Sequence, residues 1–366
     1  MLEKYAQLLV DYSLEIQPKD KLFIQTTTLA IPLVKEIYRF ATRKGAIVEV
    51  DLSFEEKRHI FAKEALYEEQ YEYISPIYKE AMQHFNAYLY IRAPFAASTS
   101  VEMNPEKVAK RNAAVAPYRK IYSERTATRE LKRSLCQFPT AAGAKMAAMS
   151  LEAYEQFIFN ACHLYADNPT AEWLKVRTQQ QGIVDFLNKC THIRYLGEGI
   201  DISFSTKGRT WINSDGQTNM PSGEIYTSPV EDSVNGRIHF SLPAIYMGNV
   251  VEGVTLWVEA GQIERWEAKK GKDFLDQIFA LPGTRRFGEA AIGNNYQINR
   301  ITNNILFDEK IGGTVHMAIG QSYLQAGGKN TSSVHWDMIT EMRNGGEIYA
   351  DGEKIYENGH FLSLNY

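Results

Sequence analysis

The residues most able to do chemistry stand in the C-terminal half of the chain, and they are carboxylates, imidazoles and one phenol. The sharpest cluster is His335-Trp336-Asp337 in NTSSVHWDMI. In an extended strand, residues i and i+2 face the same way, so this spacing projects an imidazole and a carboxylate together. That pairing of nitrogen and oxygen donors suits a divalent metal. His316 sits in the apolar, glycine-flanked run GGTVHMAIGQSY, where a buried imidazole needs a partner, and Tyr323 follows. Two glutamates have unusual neighbours: Glu224 after the Pro-Ser-Gly turn in NMPSGEIYTSP, and Glu289 in RRFGEAAIG. Taken singly, each reads as a helix-start residue satisfied by backbone amides. Asp308-Glu309-Lys310 reads, on its own, as a solvated turn.

These side chains need elements to hold them. The first half alternates helical and extended patterns. Leu2, Tyr5, Leu9, Tyr12 and Ile16 recur at helical spacing and predict a helix over 2–16. KLFIQ (21–25), a helix opened by Pro32 and closed by Gly45, and AIVEVDL (46–52) form a βαβ pattern, which implies a parallel sheet. AYLYIRA (87–93) predicts a further strand, and 150–165 and 169–190 predict helices. Beyond residue 190 the segments are short, β-rich and punctuated by glycine, with one helix in KKGKDFLDQIFALPG. The expected architecture is α/β plus β-rich: an N-terminal α/β domain over 1–190 with a mainly parallel sheet, and a mostly antiparallel β domain over 191–366.

Composition bounds the rest. The 366 residues are 44% hydrophobic and 23% charged, with a formal net charge of −4 and no basic run. Two domains and no nucleic-acid partner are the expectation. Cys136, Cys162 and Cys190 are odd in number and far apart, which argues against a disulfide framework or a cysteine zinc site. The N-terminal residues lack the apolar stretch of a secretion signal, and no run reaches the length needed to span a bilayer. A cytoplasmic protein without membrane contact is expected. The dinucleotide, phosphate-loop, GxSxG and HExxH motifs are absent.

In order and spacing, PSGE with Glu224, FGE with Glu289, VHMAIG with His316, then Tyr323 and HWD resemble the aminopeptidase T / aminopeptidase S family of metallopeptidases. CQFPTAAGAKMAAMSLEAYEQF, GRTWINSDGQTNMPSGEIYTSPVEDSVNG and ILFDEKIGGTVHMAIGQSY resemble it too. The resemblance implies removal of N-terminal residues from peptides with a free N-terminus, and a homodimer. It also implies two divalent metal ions (zinc, cobalt, manganese or magnesium) bound by Glu224, Glu289, His316, Tyr323, His335 and Asp337. Glu289 and Glu309 are the expected catalytic carboxylates, Glu309 as ligand or as proton carrier. The interval from Glu309 to His316 is longer than in some relatives. The chain is also shorter than typical members, with the shortfall in N-terminal loops. The alternatives are a metal-dependent amidohydrolase of similar architecture acting on a non-peptide substrate, and a non-catalytic protein that binds a small ligand.

Overall fold

The computed structural model describes residues 1–96 and 104–362. Contacts divide the chain into two compact units, one of residues 1–170 and 216–221, the other of residues 171–215 and 222–366.

The first unit is built on a five-stranded sheet. Its strands Ile47–Ser53, Lys21–Thr27, Ala87–Arg92, Lys132–Gln137 and Asn219–Met220 lie side by side in that order. Every neighbouring pair is parallel. This is the parallel arrangement the βαβ pattern predicts, with helix Ile31–Arg43 as the first crossover. The N-terminal helix starts as an α-helix over Leu2–Leu8 and widens to a π-helix over Leu9–Ser13. Phe23, Ala81, Met82, Phe85 and Leu131 form an apolar cluster in this unit.

The second unit is antiparallel, as expected. One sheet of eight strands runs Gln262–Glu267, Val254–Glu259, Asn235–Phe240, Ile200–Ser205, His192–Gly197, Glu347–Ala350, Glu353–Glu357 and His360–Phe361. Another, of five strands, runs His335–Glu341, Thr314–Gly320, Phe287–Gly293, Glu224–Thr227 and Ile212–Ser214. Both pack into one large core that includes Trp211, Phe240, Leu256, Phe287 and Trp336. Ile183, Val184 and Leu187 of helix Pro169–Leu187 join that same core. This helix is why the division falls at residue 170, ahead of the boundary near 190 that β-richness alone suggests. A helix whose apolar residues seal a β core belongs with that core, whatever its secondary structure. Among the described residues, no helix is long and apolar enough to cross a membrane.

Candidate metal centre

Strand register puts five of the candidate residues on one face of the five-stranded sheet. Residues directly opposite each other in an antiparallel pair face the same side. Asp337 lies opposite Ala318, and Ala318 opposite Glu289. His316 lies opposite Ala291, and Glu224 opposite Gly293. Because 316 and 318 alternate in step, as do 289, 291 and 293 and also 335 and 337, Glu224, Glu289, His316, His335 and Asp337 share a face. The intervening positions on that face are Ala291, Gly293 and Ala318, whose small side chains leave room above the sheet. The opposite face carries Ile225, Ala290, Ile292, Val315, Met317, Ile319, Trp336 and Met338, all in the core. One sheet thus separates a polar site from the apolar mass that anchors it.

Glu289 reaches this face through an irregularity. Phe287 pairs with Ile319, whereas Glu289 pairs with the adjacent Ala318, so Gly288 is an extra residue in the strand. A β-bulge of this kind reverses the alternation locally. Phe287 therefore enters the core while Glu289, two residues on, enters the site. Only glycine fits at 288: a Cβ there would lie 2.2 Å from the Gln321 carbonyl oxygen. Glu224 is placed by Gly223, whose φ of +107° suits a residue without a Cβ. Both glutamates stand in strands, Glu224 opening Glu224–Thr227 and Glu289 inside Phe287–Gly293. The helix-start reading of either is corrected here.

The side chains converge. His335 Nε2 lies 3.1 Å from Glu289 Oε2 and 3.4 Å from Asp337 Oδ1. His316 Nε2 lies 3.7 Å from Glu289 Oε1 and 3.8 Å from Glu224 Oε2. His335 Nδ1 donates to the Gln321 carbonyl at 2.8 Å, which leaves Nε2 as the free donor nitrogen facing the carboxylates. The Tyr323 hydroxyl lies 3.5 Å from His335 Nε2. Glu309, in the turn after the short helix Ile305–Asp308, comes in from outside the sheet. Two overlapping sets of ligand atoms result, each within 4.8 Å of one another: Glu224, Glu309 and His316, and Glu289, His316 and Asp337.

The Asp308-Glu309-Lys310 segment is not the solvated turn its composition suggests. Asp308 is buried, and the Lys310 side chain is 0% exposed, with Nζ 3.2 Å from Glu224 Oε1 and in direct contact with Glu309. Lys310, Gln321 and the Gly288 bulge are the parts of the site that sequence reasoning missed. A lysine beside a candidate ligand glutamate was the one available hint.

Charge in this cluster is strongly coupled. Burial lowers both imidazoles, but Asp337 and Glu289 outweigh it and raise His335 to about 12. Glu289, Glu224 and Asp337 likewise raise His316 to about 9 against the effect of burial. Burial pushes Asp337 up, yet His335 and His316 hold it well below the usual carboxylate range. Burial pushes Glu309 up to about 8, although the Lys310 ammonium pulls the other way. Burial disfavours the Lys310 charge, and Glu224 and Glu309 more than offset this. Two carboxylates against one ammonium hold the lysine charged.

The donor set fits a divalent metal. Glu224 Oε2, both nitrogens of His316 and Asp337 Oδ1 are buried with no hydrogen-bond partner among the described residues. Buried polar atoms ordinarily find partners, and orphaned atoms on three side chains that share one face mark a place for a ligand. Carboxylate oxygens with imidazole nitrogens are donors for zinc, cobalt, manganese or magnesium.

The sequence profile of the family described as "Thermophilic metalloprotease (M29)" matches residues 1–361. The chain is 27% identical to "Aminopeptidase 2" of Geobacillus stearothermophilus, covering 98% of this chain and 97% of that protein. It is 26% identical to "Aminopeptidase PepS" of Streptococcus thermophilus, covering 99% and 98%. Its structure is similar to "Wild-type AmpT from Thermus thermophilus" with a TM-score of 0.84 at 23% identity, over 99% of this chain and 98% of the other. At that identity the structural likeness speaks to the fold.

Proposed function

The chain belongs to the thermophilic metalloprotease family M29, and from that premise we propose that it is a metal-dependent aminopeptidase whose site is the face carrying Glu224, Glu289, His316, His335 and Asp337. The observation that carries this reading is the pair of overlapping groups of ligand atoms held within 4.8 Å, with orphaned atoms on Glu224, His316 and Asp337 among these residues. Two divalent ions, one per group, are the reading that arrangement supports. Glu289 is suited to bridge them, since its two oxygens face His335 and His316. Tyr323 completes the donor set from its position beside His335.

A divalent ion supplies what peptide hydrolysis lacks at neutral pH: it polarises the carbonyl and makes water more acidic. The protein's own residues do the rest. The contact from Gln321 fixes His335 in the tautomer that offers Nε2. Glu309 stands with Glu224 and His316, where it would serve as a ligand or, in its ionised form, as the carboxylate that takes a proton from water and returns it to the leaving amine. The excess of carboxylates gives the ammonium of a substrate's free N-terminus an anionic partner, which accounts for action at chain ends only.

A homodimer and a cytoplasmic setting belong to the same proposal. The test compares leucyl-p-nitroanilide and leucyl dipeptides with their N-acetylated forms at saturating metal. Cleavage of the free-amine substrates alone is expected. Equal cleavage of blocked substrates refutes the exopeptidase reading, and cleavage of neither favours a non-peptide amide as substrate.

A further inference from the structure

Resting on the two-ion reading above, the geometry points to Lys310 as a built-in cation that makes the two metal positions unequal. We propose that the ion held by Glu289, His335 and Asp337 binds first and tightly, and that the ion at Glu224, Glu309 and His316, on the other side of Glu289, binds second and weakly, against the lysine ammonium.

Three observations carry this. Lys310 Nζ sits on the carboxylates that define the second position, 3.2 Å from Glu224 Oε1 and in contact with Glu309. One oxygen of each carboxylate is therefore already engaged by a positive charge, while Glu224 Oε2 stays open. The carboxylates of the first position form no ion pair with a lysine or arginine among the described residues: Glu289 and Asp337 pair with histidines, and Lys310 acts on Asp337 only from beyond them. Finally, the lysine cannot step aside into solvent. Its side chain is 0% exposed. Its backbone is held on both sides, its N–H donating to the Phe307 carbonyl at 3.0 Å and its carbonyl accepting from Asn295 at 3.0 Å. Expelling the ammonium from Glu224 and Glu309 would leave a buried charge without partners, a costly rearrangement. Binding the second ion beside it sets like charges a few ångströms apart in a site shielded from water.

The charge count agrees. With Glu309 ionised, Glu224, Glu289, Glu309 and Asp337 supply four negative charges, which two divalent ions would balance without help. Lys310 adds a fifth positive charge, and its direct contacts are with Glu224 and Glu309 alone among these four. The enzyme then holds one resident ion and one that exchanges with the medium.

The experiment is isothermal titration of the chelator-stripped protein with manganese, with elemental analysis of the bound metal. Wild type is expected to show two steps, the second weaker by on the order of a hundredfold. Lys310→Met, of similar length and uncharged, narrows the gap to about tenfold or less, and Lys310→Arg preserves it. Asp337→Asn weakens the tight step and Glu224→Gln the weak one. Two steps of equal affinity in wild type overturn the inference, and this result does not depend on whether any variant folds. An unchanged gap in a folded Lys310→Met protein overturns it as well, as does a reversed order of the two positional variants. No bound metal in wild type refutes the metal site itself, and the inference falls with it.

Discussion

Replacing Glu289 by glutamine tests the site where its geometry is most demanding. The amide keeps the size and shape of the carboxylate, so the bulged strand and its packing should persist. The negative charge next to both histidines is lost: Glu289 Oε2 lies 3.1 Å from His335 and Oε1 3.7 Å from His316. Losing even an indirect support of a metal ligand typically weakens binding 10- to 100-fold. A proposed bridging carboxylate should cost at least about 100-fold, or about 2.7 kcal/mol. Metal that binds only the folded protein stabilises it by mass action. At a concentration about 1,000 times the wild-type Kd, that gain is about 4.1 kcal/mol, and it falls to about 1.4 kcal/mol in the variant. For a unit of this size, about 2–4 °C of Tm accompanies each kcal/mol, so the metal-induced rise should shrink by about 5–10 °C. Thermal scans with and without manganese measure this directly, and kcat/KM should drop in parallel. An undiminished Tm rise with wild-type kcat/KM would show that Glu289 is not a ligand and that the shared-face argument fails.

Gly288→Ala drives a methyl group to 2.2 Å from the Gln321 carbonyl oxygen, so the bulge must shift; we expect destabilisation of about 1–3 kcal/mol by chemical denaturation together with weaker metal binding. Unchanged stability would mean the bulge does not set the position of Glu289. Tyr323→Phe removes a hydroxyl 3.5 Å from His335 and should lower kcat/KM by about 10- to 100-fold while leaving the fold intact by circular dichroism. Wild-type kinetics in that variant would remove Tyr323 from the site. Burial pushes the Cys136 thiol up to about 12, so at pH 8 its reactive thiolate is on the order of one part in ten thousand. Cys162, also raised by burial, should be equally inert, while the less buried Cys190 alone is alkylated in the native protein. Mass spectrometry after mild iodoacetamide treatment checks this, and labelling of Cys136 at the rate of Cys190 would contradict the packing.

Much of the fold was legible because local periodicity and burial agree. KLFIQ and AIVEVDL became parallel neighbours, and the helix between them starts beside Pro32 as expected. Helix Pro105–Ala127 escaped notice for a physical reason: none of its residues is buried, so it carries no apolar stripe to read. In the site, the i, i+2 spacing of His335 and Asp337 was legible because their strand is regular. Glu289 was harder. In a regular strand its separation from Phe287 would send both to the same side, and only the pairing shift at Gly288 shows that they part. Lys310 was hidden by its type, since lysines are almost never fully buried unless paired. The partners that permit its burial, Glu224 and Glu309, come together only when the second unit folds. Order and spacing of several weak motifs named the family, whereas no single residue could.

The most direct test of the account strips the purified protein with a chelator and follows hydrolysis of leucyl-p-nitroanilide before stripping, after it, and after adding back zinc, cobalt, manganese or magnesium separately. The account predicts that activity disappears with the metal and returns with at least one of these ions. Full activity in protein shown by elemental analysis to be free of metal would contradict it.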